Sequence, residues 1–342
     1  MKVYIAYKKR KGPWGGGNQF LSLLENEFKK SANFSNNIKD SDVVLINSFT
    51  DIGLIINVLI RGGKRPIIHR LDGPVLKYRS DKISGLLDDL IVFYISKFLS
   101  DASIFQSYYS LENSFLKNNK DIYNQIVIGN TAKESFFNVK IENFKLNNQK
   151  LKIVSSSWSK NKNKGLDYLI KLDKDLDFDK YDFTFIGNID YKFLNIKHIQ
   201  ALPNDEIPNL LKNHHLYYSA SKFECCSNAI CEALAVGLPC IAHYSGGNKE
   251  LIKKGGILFK DYYESFDAID QIYNNYSFFK SAISISKPKE VANKYYEYMK
   301  EIYEKYNFKK VFIFKRFFGL IVILIYIFLK RSYVLIKKIS TY

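Results

Sequence analysis

Acidic residues are missing from the last 35 positions of this 342-residue chain: Phe308 to Tyr342 holds eight lysines and arginines and no aspartate or glutamate. That stretch alone carries +8 of the formal net charge of +17. Cysteine is scarce, with four residues all between positions 225 and 240. Their spacing fits no common zinc pattern and so short a window does not suit a disulfide framework, which leaves free thiols in a reducing cytosol as the expectation. No secretory leader is expected: Lys2–Tyr7 is short and runs at once into Lys8, Lys9, Arg10 and Lys11, so it reads as a first strand. Gly15–Gly16–Gly17 lacks the G-x-G-x-x-G spacing of a dinucleotide fingerprint, which argues against a dehydrogenase. Long uncharged runs are also absent. Phe317–Leu329 in the tail holds 13 uncharged residues, about 20 Å of helix against a hydrocarbon core of roughly 30 Å.

What is present is a chain long enough for two domains, with 46% hydrophobic residues, too many for general disorder. Short apolar, β-rich runs alternate with amphipathic ones. Strands are expected at Val3–Ala6, Val43–Ile46, Pro66–His69, Ser103–Gln106 and Ile126–Ile128, then at Lys152–Ser155, Phe183–Ile186, Leu216–Ser219 and Cys240–His243. Helices are expected at Gly17–Lys29, Ile83–Leu99, Gly165–Leu172, Ile207–Lys212, Asn228–Val236, Tyr263–Tyr273 and Glu290–Tyr306. The alternation predicts parallel sheets covered by helices. Its repetition around the polar stretch Thr131–Gln149 predicts two Rossmann-like domains facing across a cleft. The boundaries expected are 1–148, 149–290, a terminal helix over 291–307 packing back toward the first domain, and a tail over 308–342. The basic flanks of the tail predict a segment lying in the face of an anionic membrane. A span from Val311 with snorkelling Lys315 and Arg316, or a buried terminal helix, are the alternatives. A pI near 9.4 would also suit nucleic acid, but much of the charge brackets an apolar tail, so no nucleic-acid partner is expected.

Chemistry concentrates at 224–250. Glu224 falls past the end of the predicted strand Leu216–Ser219, where open α/β sheets bind ligands. Ser227 can cap the following helix, and Gly237 with Pro239 can stop it. The amides near Asn228 and Ala229 then favour a phosphate. Glu232 lies about a turn further on, placed to accept two hydroxyls of a ribose, and Glu224 can do the same for a second sugar. Two solvated glutamates beside an ordinary helix fit the spacing equally. Gly16 and Gly17 suit a close approach to a ligand or a plain turn. His69, Arg70 and Asp72 fit a structural salt bridge or a ligand contact. Trp158 fits packing better than stacking, and Asp177–Phe178–Asp179, although similar to a metal-binding motif, fits a solvated loop.

The run Glu224–x7–Glu232–Ala233–Leu234–Ala235–x–Gly237–x–Pro239, followed by Gly246–Gly247–x–x–Glu250, resembles the signature of glycosyltransferase family 4, retaining nucleotide-sugar transferases of the GT-B fold. Gly15–Gly17, His69–Pro74, Ile128–Gly129–Asn130 and Trp158–Ser159–Lys160–x3–Lys164–Gly165 extend the resemblance over roughly residues 1–306. The resemblance implies that Glu232 holds the donor ribose, Glu224 the transferred sugar, and Lys164 the diphosphate leaving group. Ser159 stands where the family usually has an arginine, and Lys160 is the nearest substitute. Thr131 replaces an expected glycine. The expectation is a metal-independent enzyme needing no cofactor beyond the nucleotide-sugar donor. Its acceptor is a glycan or lipid-linked molecule at an anionic membrane surface, and the enzyme is cytoplasmic and peripheral or monotopic. Lys164, Lys160, Glu224 and Asp72 are assigned to catalysis, and Gly16, Gly17, Ser227, Asn228, Ala229 and Glu232 to the donor. The alternative is a membrane-attached nucleotide-sugar binder without turnover.

Overall fold

The computed structural model describes residues 1–9, 16–48, 52–61, 64–76, 81–117, 124–141, 149–159, 161–306 and 311–339, with backbone alone at 311–313. Gly15 and Lys160 lie outside the described residues. The chain forms two compact units: Met1–Lys9, Leu24–Gly129 and Ala292–Tyr342 in the first, Arg10–Leu23 and Asn130–Val291 in the second.

The first unit is built on a five-stranded, fully parallel sheet in the order β1 (Val3–Ala6), β2 (Val43–Asn47), β3 (Ile67–Leu71), β4 (Ala102–Phe105) and β5 (Gln125–Val127). β2, β3 and β4 are buried at every position, as expected of strands covered on both faces. Helix α1 (Gly16–Lys30) leads to Phe34, which makes an isolated parallel bridge to Val3. The chain thus turns to one side of β1 before it returns to β2 on the other. Helix α2 (Ile52–Arg61) and helix α3 (Lys82–Tyr94), extended by a π-type turn over Ile95–Leu99, supply Ile55, Val58, Ile91, Ile95 and Leu99 to the core over Val44, Ile46 and Ile67. Asp81 caps α3 by accepting from Ser84 N at 3.0 Å. α4 (Tyr108–Glu112) carries a capping box between Ser107 and Ser110.

The second unit holds a six-stranded parallel sheet in the order β11-β10-β9-β6-β7-β8. Its strands are β6 (Leu151–Ser157), β7 (Tyr181–Gly187), β8 (Lys197–Ile199), β9 (Leu216–Ser219), β10 (Cys240–His243) and β11 (Gly256–Phe259). From β6 the chain steps outward through β7 and β8, then returns past β6 to build β9, β10 and β11 on the other side. The order therefore reverses between β6 and β9, the arrangement that opens a crevice at the C-terminal strand ends. α5 (Glu134–Phe137) precedes this sheet. α6 (Leu166–Asp175) and α10 (Tyr262–Asn274) cover one face with Leu169, Leu172, Ile269 and Ile272. α7 (Ile207–Leu211), α8 (Asn228–Val236) and α9 (Asn248–Ile252) cover the other with Leu211, Ile230, Leu234 and Ile252. α11 (Tyr276–Ser281) and α12 (Pro288–Lys305) follow.

β8 and β11 were not expected from the sequence. Both are short; β8 has no fully buried position, and β11 opens on a glycine. Parallel neighbours are normally joined by a crossover of a dozen or more residues, yet residues 188–196 join β7 to β8 without a helix. Buried Asp173 takes the place of that helix, accepting from the amides of Leu194 (2.8 Å), Asn195 (2.8 Å) and Ile196 (2.7 Å).

The tail forms one 29-residue helix, α13 (Val311–Ile339), far longer than the uncharged run Phe317–Leu329. It packs on α2, α3 and the π-type turn, with Ile323 and Tyr326 buried. By length and composition Phe314–Ile339 is also apolar enough to cross a membrane.

Candidate active site at the reversal of the second sheet

The loop after β6 and the loop after β9 meet at the point where the strand order reverses. Asn161 caps the short turn Lys162–Lys164, its Oδ1 accepting from Asn163 N at 2.9 Å. Gly165 then turns the chain into α6 at φ +73°, and a Cβ there would fall 2.3 Å from the Ala220 Cβ and 2.6 Å from its carbonyl oxygen. Only glycine lets the two loops approach this closely. The approach brings Lys164 Nζ onto Glu224 Oε1 as an ion pair, with both side chains partly exposed.

Glu224 is fixed from behind by the glycine turn at 246–247. Gly247 N donates to the Glu224 carbonyl at 2.7 Å. A Cβ on Gly246, which has φ +69°, would lie 2.1 Å from that same oxygen. Phe223 sits at φ +61°, a left-handed conformation rare outside glycine, and its N–H donates to Ser245 Oγ at 2.9 Å. The two glycines are thus the mould for the acidic loop.

Helix α8 starts at Asn228, four residues after Glu224. Ser227 caps it, accepting from Ile230 N, and Gly237 ends it at φ +96°. Its first amides, at Asn228 and Ala229, have no partner within the helix by geometry and carry the positive end of its dipole. Asn130 holds this end in place: its N–H reaches Cys226 Sγ at 3.2 Å, and its Nδ2 donates to Asn228 Oδ1 at 2.8 Å. Gly16, grouped with the second unit, lies against the same residue, because a Cβ on it would sit 2.1 Å from Asn228 Nδ2. Glu232, on the next turn, accepts from Asn204 Nδ2 at 3.0 Å. Burial pushes its carboxyl up to about 7, against the opposing pull of Asn204 and Lys133. Asn204 Oδ1 is itself buried without a donor among the described residues. Beside Lys164, a cavity of about 770 Å³ opens between the β6 loop, the start of α6 and the 188–191 loop, with Ser159, Lys162, Asp167, Tyr191 and Lys222 in its wall.

The structure pairs Lys164 with Glu224 and sets Gly16 against Asn228 at the start of α8, where Ser227 and Ala229 also lie, with Glu232 a turn further along the helix and Gly17 following on α1. Asp72 belongs to the first unit. There it accepts from Arg70 (2.8 Å), Gln106 (2.7 Å), Ser48 (3.0 Å) and Asn47 (3.1 Å). Arg70 is fully buried, while the Asp72 side chain is 38% exposed. His69 is tied to Ser96 Oγ at 2.7 Å and to the Ser48 carbonyl at 3.0 Å, and burial lowers it to about 4, so it is neutral. The His69–Asp72 segment is a structural network of the first unit with one carboxylate at its edge. Asp177 accepts from Asp179 N at 3.0 Å in an exposed turn. Among the described residues, no group of three or more His, Cys, Asp or Glu side chains is placed to hold a metal ion. The four cysteines are buried free thiols. Asn204 and Lys133 had no sequence signal of their own; only the fold places them beside Glu232.

Residues 137–289 match the model of the family Glycosyl transferases group 1. No curated protein matches the chain. Among solved structures, the HepE protein of Anabaena in complex with UDP is 14% identical, with a TM-score of 0.63 over 89% of this chain and 99% of that one. Sucrose-phosphate synthase from Thermosynechococcus elongatus is 12% identical, with a TM-score of 0.60 over 84% of this chain and 79% of that one. A glycosyltransferase from Rickettsia africae is 15% identical, with a TM-score of 0.59 over 88% and 85%. At such identities these likenesses establish the fold. Together with the match over 137–289, they support a glycosyltransferase of the GT-B fold.

Proposed function

We propose that the chain transfers a sugar from a nucleoside diphosphate donor to a glycan or lipid-linked acceptor at the cytoplasmic face of a membrane. The observation that carries this reading is the meeting of Lys164, Glu224 and the start of α8 at the reversal of a parallel sheet. The α8 amides and the Lys164 ammonium take the diphosphate, and Glu232 accepts the two ribose hydroxyls with Asn204 holding it in place. Glu224 binds hydroxyls of the transferred sugar. In this reading Lys164 exchanges part of its bond to Glu224 for the diphosphate, so donor binding loosens a pair that is closed in the free protein.

In the reaction, the bond from the sugar C1 to the diphosphate oxygen breaks and a bond from C1 to the acceptor oxygen forms. The acceptor proton passes to a phosphate oxygen of the departing nucleotide, on the same face, which gives retention. Charge developing on the diphosphate is stabilised by groups already in position, the largest contribution available to such a site. Lys164 and the helix amides supply the opposing positive charge without a divalent cation. Lys160, next to Ser159 in the sequence, is proposed to add a second cation for the diphosphate.

The test is a binding panel of UDP-, GDP- and ADP-sugars by calorimetry with wild type and Glu232→Ala. Two hydrogen bonds to a charged group at roughly 1.5–3 kcal/mol each predict at least a 100-fold loss for any donor that binds. Unchanged affinity overturns the assignment. Ser159, in place of an arginine, motivates the second reading, a nucleotide-sugar binder without turnover. Donor affinity with no sugar transferred to any membrane-derived acceptor would establish it.

A further inference from the structure

The inner face of α13 follows a strict alternation of three- and four-residue steps: Arg316, Gly319, Ile323, Tyr326, Lys330, Tyr333 and Lys337. That is the seam of a helix packed along its whole length on a partner. Five of the seven positions are polar, and each reaches an aspartate of the first unit. Arg316 bonds Asp101 at 3.0 Å, and Tyr326 and Lys330 meet on Asp88 at 2.8 and 2.7 Å. Tyr333 and Lys337 meet on Asp81 at 2.8 and 2.7 Å. Gly319 admits Leu99 and Phe98, since a Cβ there would lie 2.2 Å from Leu99 Cδ2.

The outer face is of the opposite kind. Phe314, Phe317 and Phe328 are 75%, 63% and 70% exposed, and the stripe continues through Leu324, Ile325 and Leu335. It runs over residues 314–339, about 39 Å of helix. Ile60 of α2 and Ile83 and Leu86 of α3, the helices on which α13 packs, are exposed as well. Water-soluble chains rarely show an apolar surface this large.

We infer that α13 lies in the plane of a membrane surface, clamped to the first unit by Asp81, Asp88 and Asp101, and does not cross the bilayer. A crossing helix would have to abandon all five polar ties and carry Lys330 and Arg331 into hydrocarbon. The occupant of the outer face is an anionic lipid leaflet. Exposed Arg331 and Lys338 edge the stripe, and no carboxylate lies between 308 and 342. A second copy would set like charges together, whereas anionic headgroups supply the opposite sign. The inference deepens the membrane part of the proposed function and is independent of the donor chemistry.

The test uses the full chain produced in a bacterial host, with Lys338→Cys labelled by a membrane-impermeant maleimide. The native thiols are buried, so the new one reports position. Labelling in inverted membrane vesicles and protection in spheroplasts is expected; labelling in spheroplasts means a span and overturns the inference. Purified protein should pellet with vesicles of phosphatidylcholine and phosphatidylglycerol at least tenfold more than with phosphatidylcholine alone. The pair Phe317→Glu and Phe328→Glu should abolish pelleting. If that pair fails to fold, Arg331→Glu with Lys338→Glu should cut pelleting on anionic vesicles tenfold. A stable dimer that ignores both vesicle types assigns the face to a second copy and refutes the membrane. Glu232→Ala should pellet as wild type does, so failure of the donor reading stays separate from failure of this one.

Discussion

Glu232 gives the sharpest test, because its protonation is readable in stability and in binding. Its carboxyl sits near 7 in the folded protein against about 4.5 in the unfolded chain. A raised acid favours the folded state only while protonated. Its contribution is therefore complete below pH 4.5 and is lost as pH rises through 7. At 1.36 kcal/mol per pH unit the loss is at most about 3.4 kcal/mol, an upper bound because part of the side chain reaches the surface. His69, His214 and His215 complicate the wild-type profile. Burial lowers each to about 4, so each adds stability as pH rises from 4 to 6.5. The difference between wild type and Glu232→Gln cancels them. By urea denaturation the glutamine variant should match wild type near pH 5 and exceed it by about 2 kcal/mol at pH 8. Two ribose hydroxyls donating to both oxygens favour the charged carboxylate, so a nucleotide should release about half a proton on binding at pH 7. Calorimetry in buffers of different ionisation enthalpy reads this directly. A pH-independent stability difference, or nucleotide binding with no proton release, refutes the placement of Glu232.

Three further outcomes follow from the same geometry. Gly165→Ala puts a Cβ at a left-handed position and onto Ala220; it should cost about 1–3 kcal/mol in thermal melts and lower sugar transfer. Lys164→Met should lower kcat about 100- to 1000-fold with a far smaller effect on donor Kd, because its charge meets the leaving group as it departs; equal losses in both point to ground-state binding only. Asp88→Asn removes a charge that is 1% exposed and faces Lys330; about 2–4 kcal/mol of stability should go, and proteolysis of α13 should speed up. An unchanged melting curve would mean that the clamp contributes little.

The fold was legible where residue type and period agree. Val43–Asn47 and Leu216–Ser219 are apolar, β-rich runs between turn residues and are strands as expected. Asn228–Val236 has its serine cap and its glycine stop in sequence, and both are used. β8 escaped notice because Lys197–His198–Ile199 has the composition of a loop and becomes a strand only by pairing with Thr184–Ile186. α2 was open to a helical reading, since Gly53, Asn57 and Arg61 fall four residues apart on one face of an otherwise apolar run. At the site, the two glutamates and the serine cap could be read from spacing. Asn130 shows in the sequence only as a motif letter and Asn204 not at all, because their partners lie 98 and 28 residues away. Gly165 and Gly246 show in the sequence only as motif letters. Their necessity is a matter of distance, visible only where a Cβ would strike Ala220 or the Glu224 carbonyl.

The two units are not consecutive pieces of chain, and this governs how the protein can be taken apart. Residues 10–23 group with the second unit and 292–342 with the first. A clean cut at residue 130 would leave one fragment without most of α12 and all of α13, and the other without Gly16. Neither product would carry its full set of partners, so isolated halves should express poorly. A faithful dissection needs a permuted chain that joins 292–342 to the first fragment and supplies 10–23 to the second.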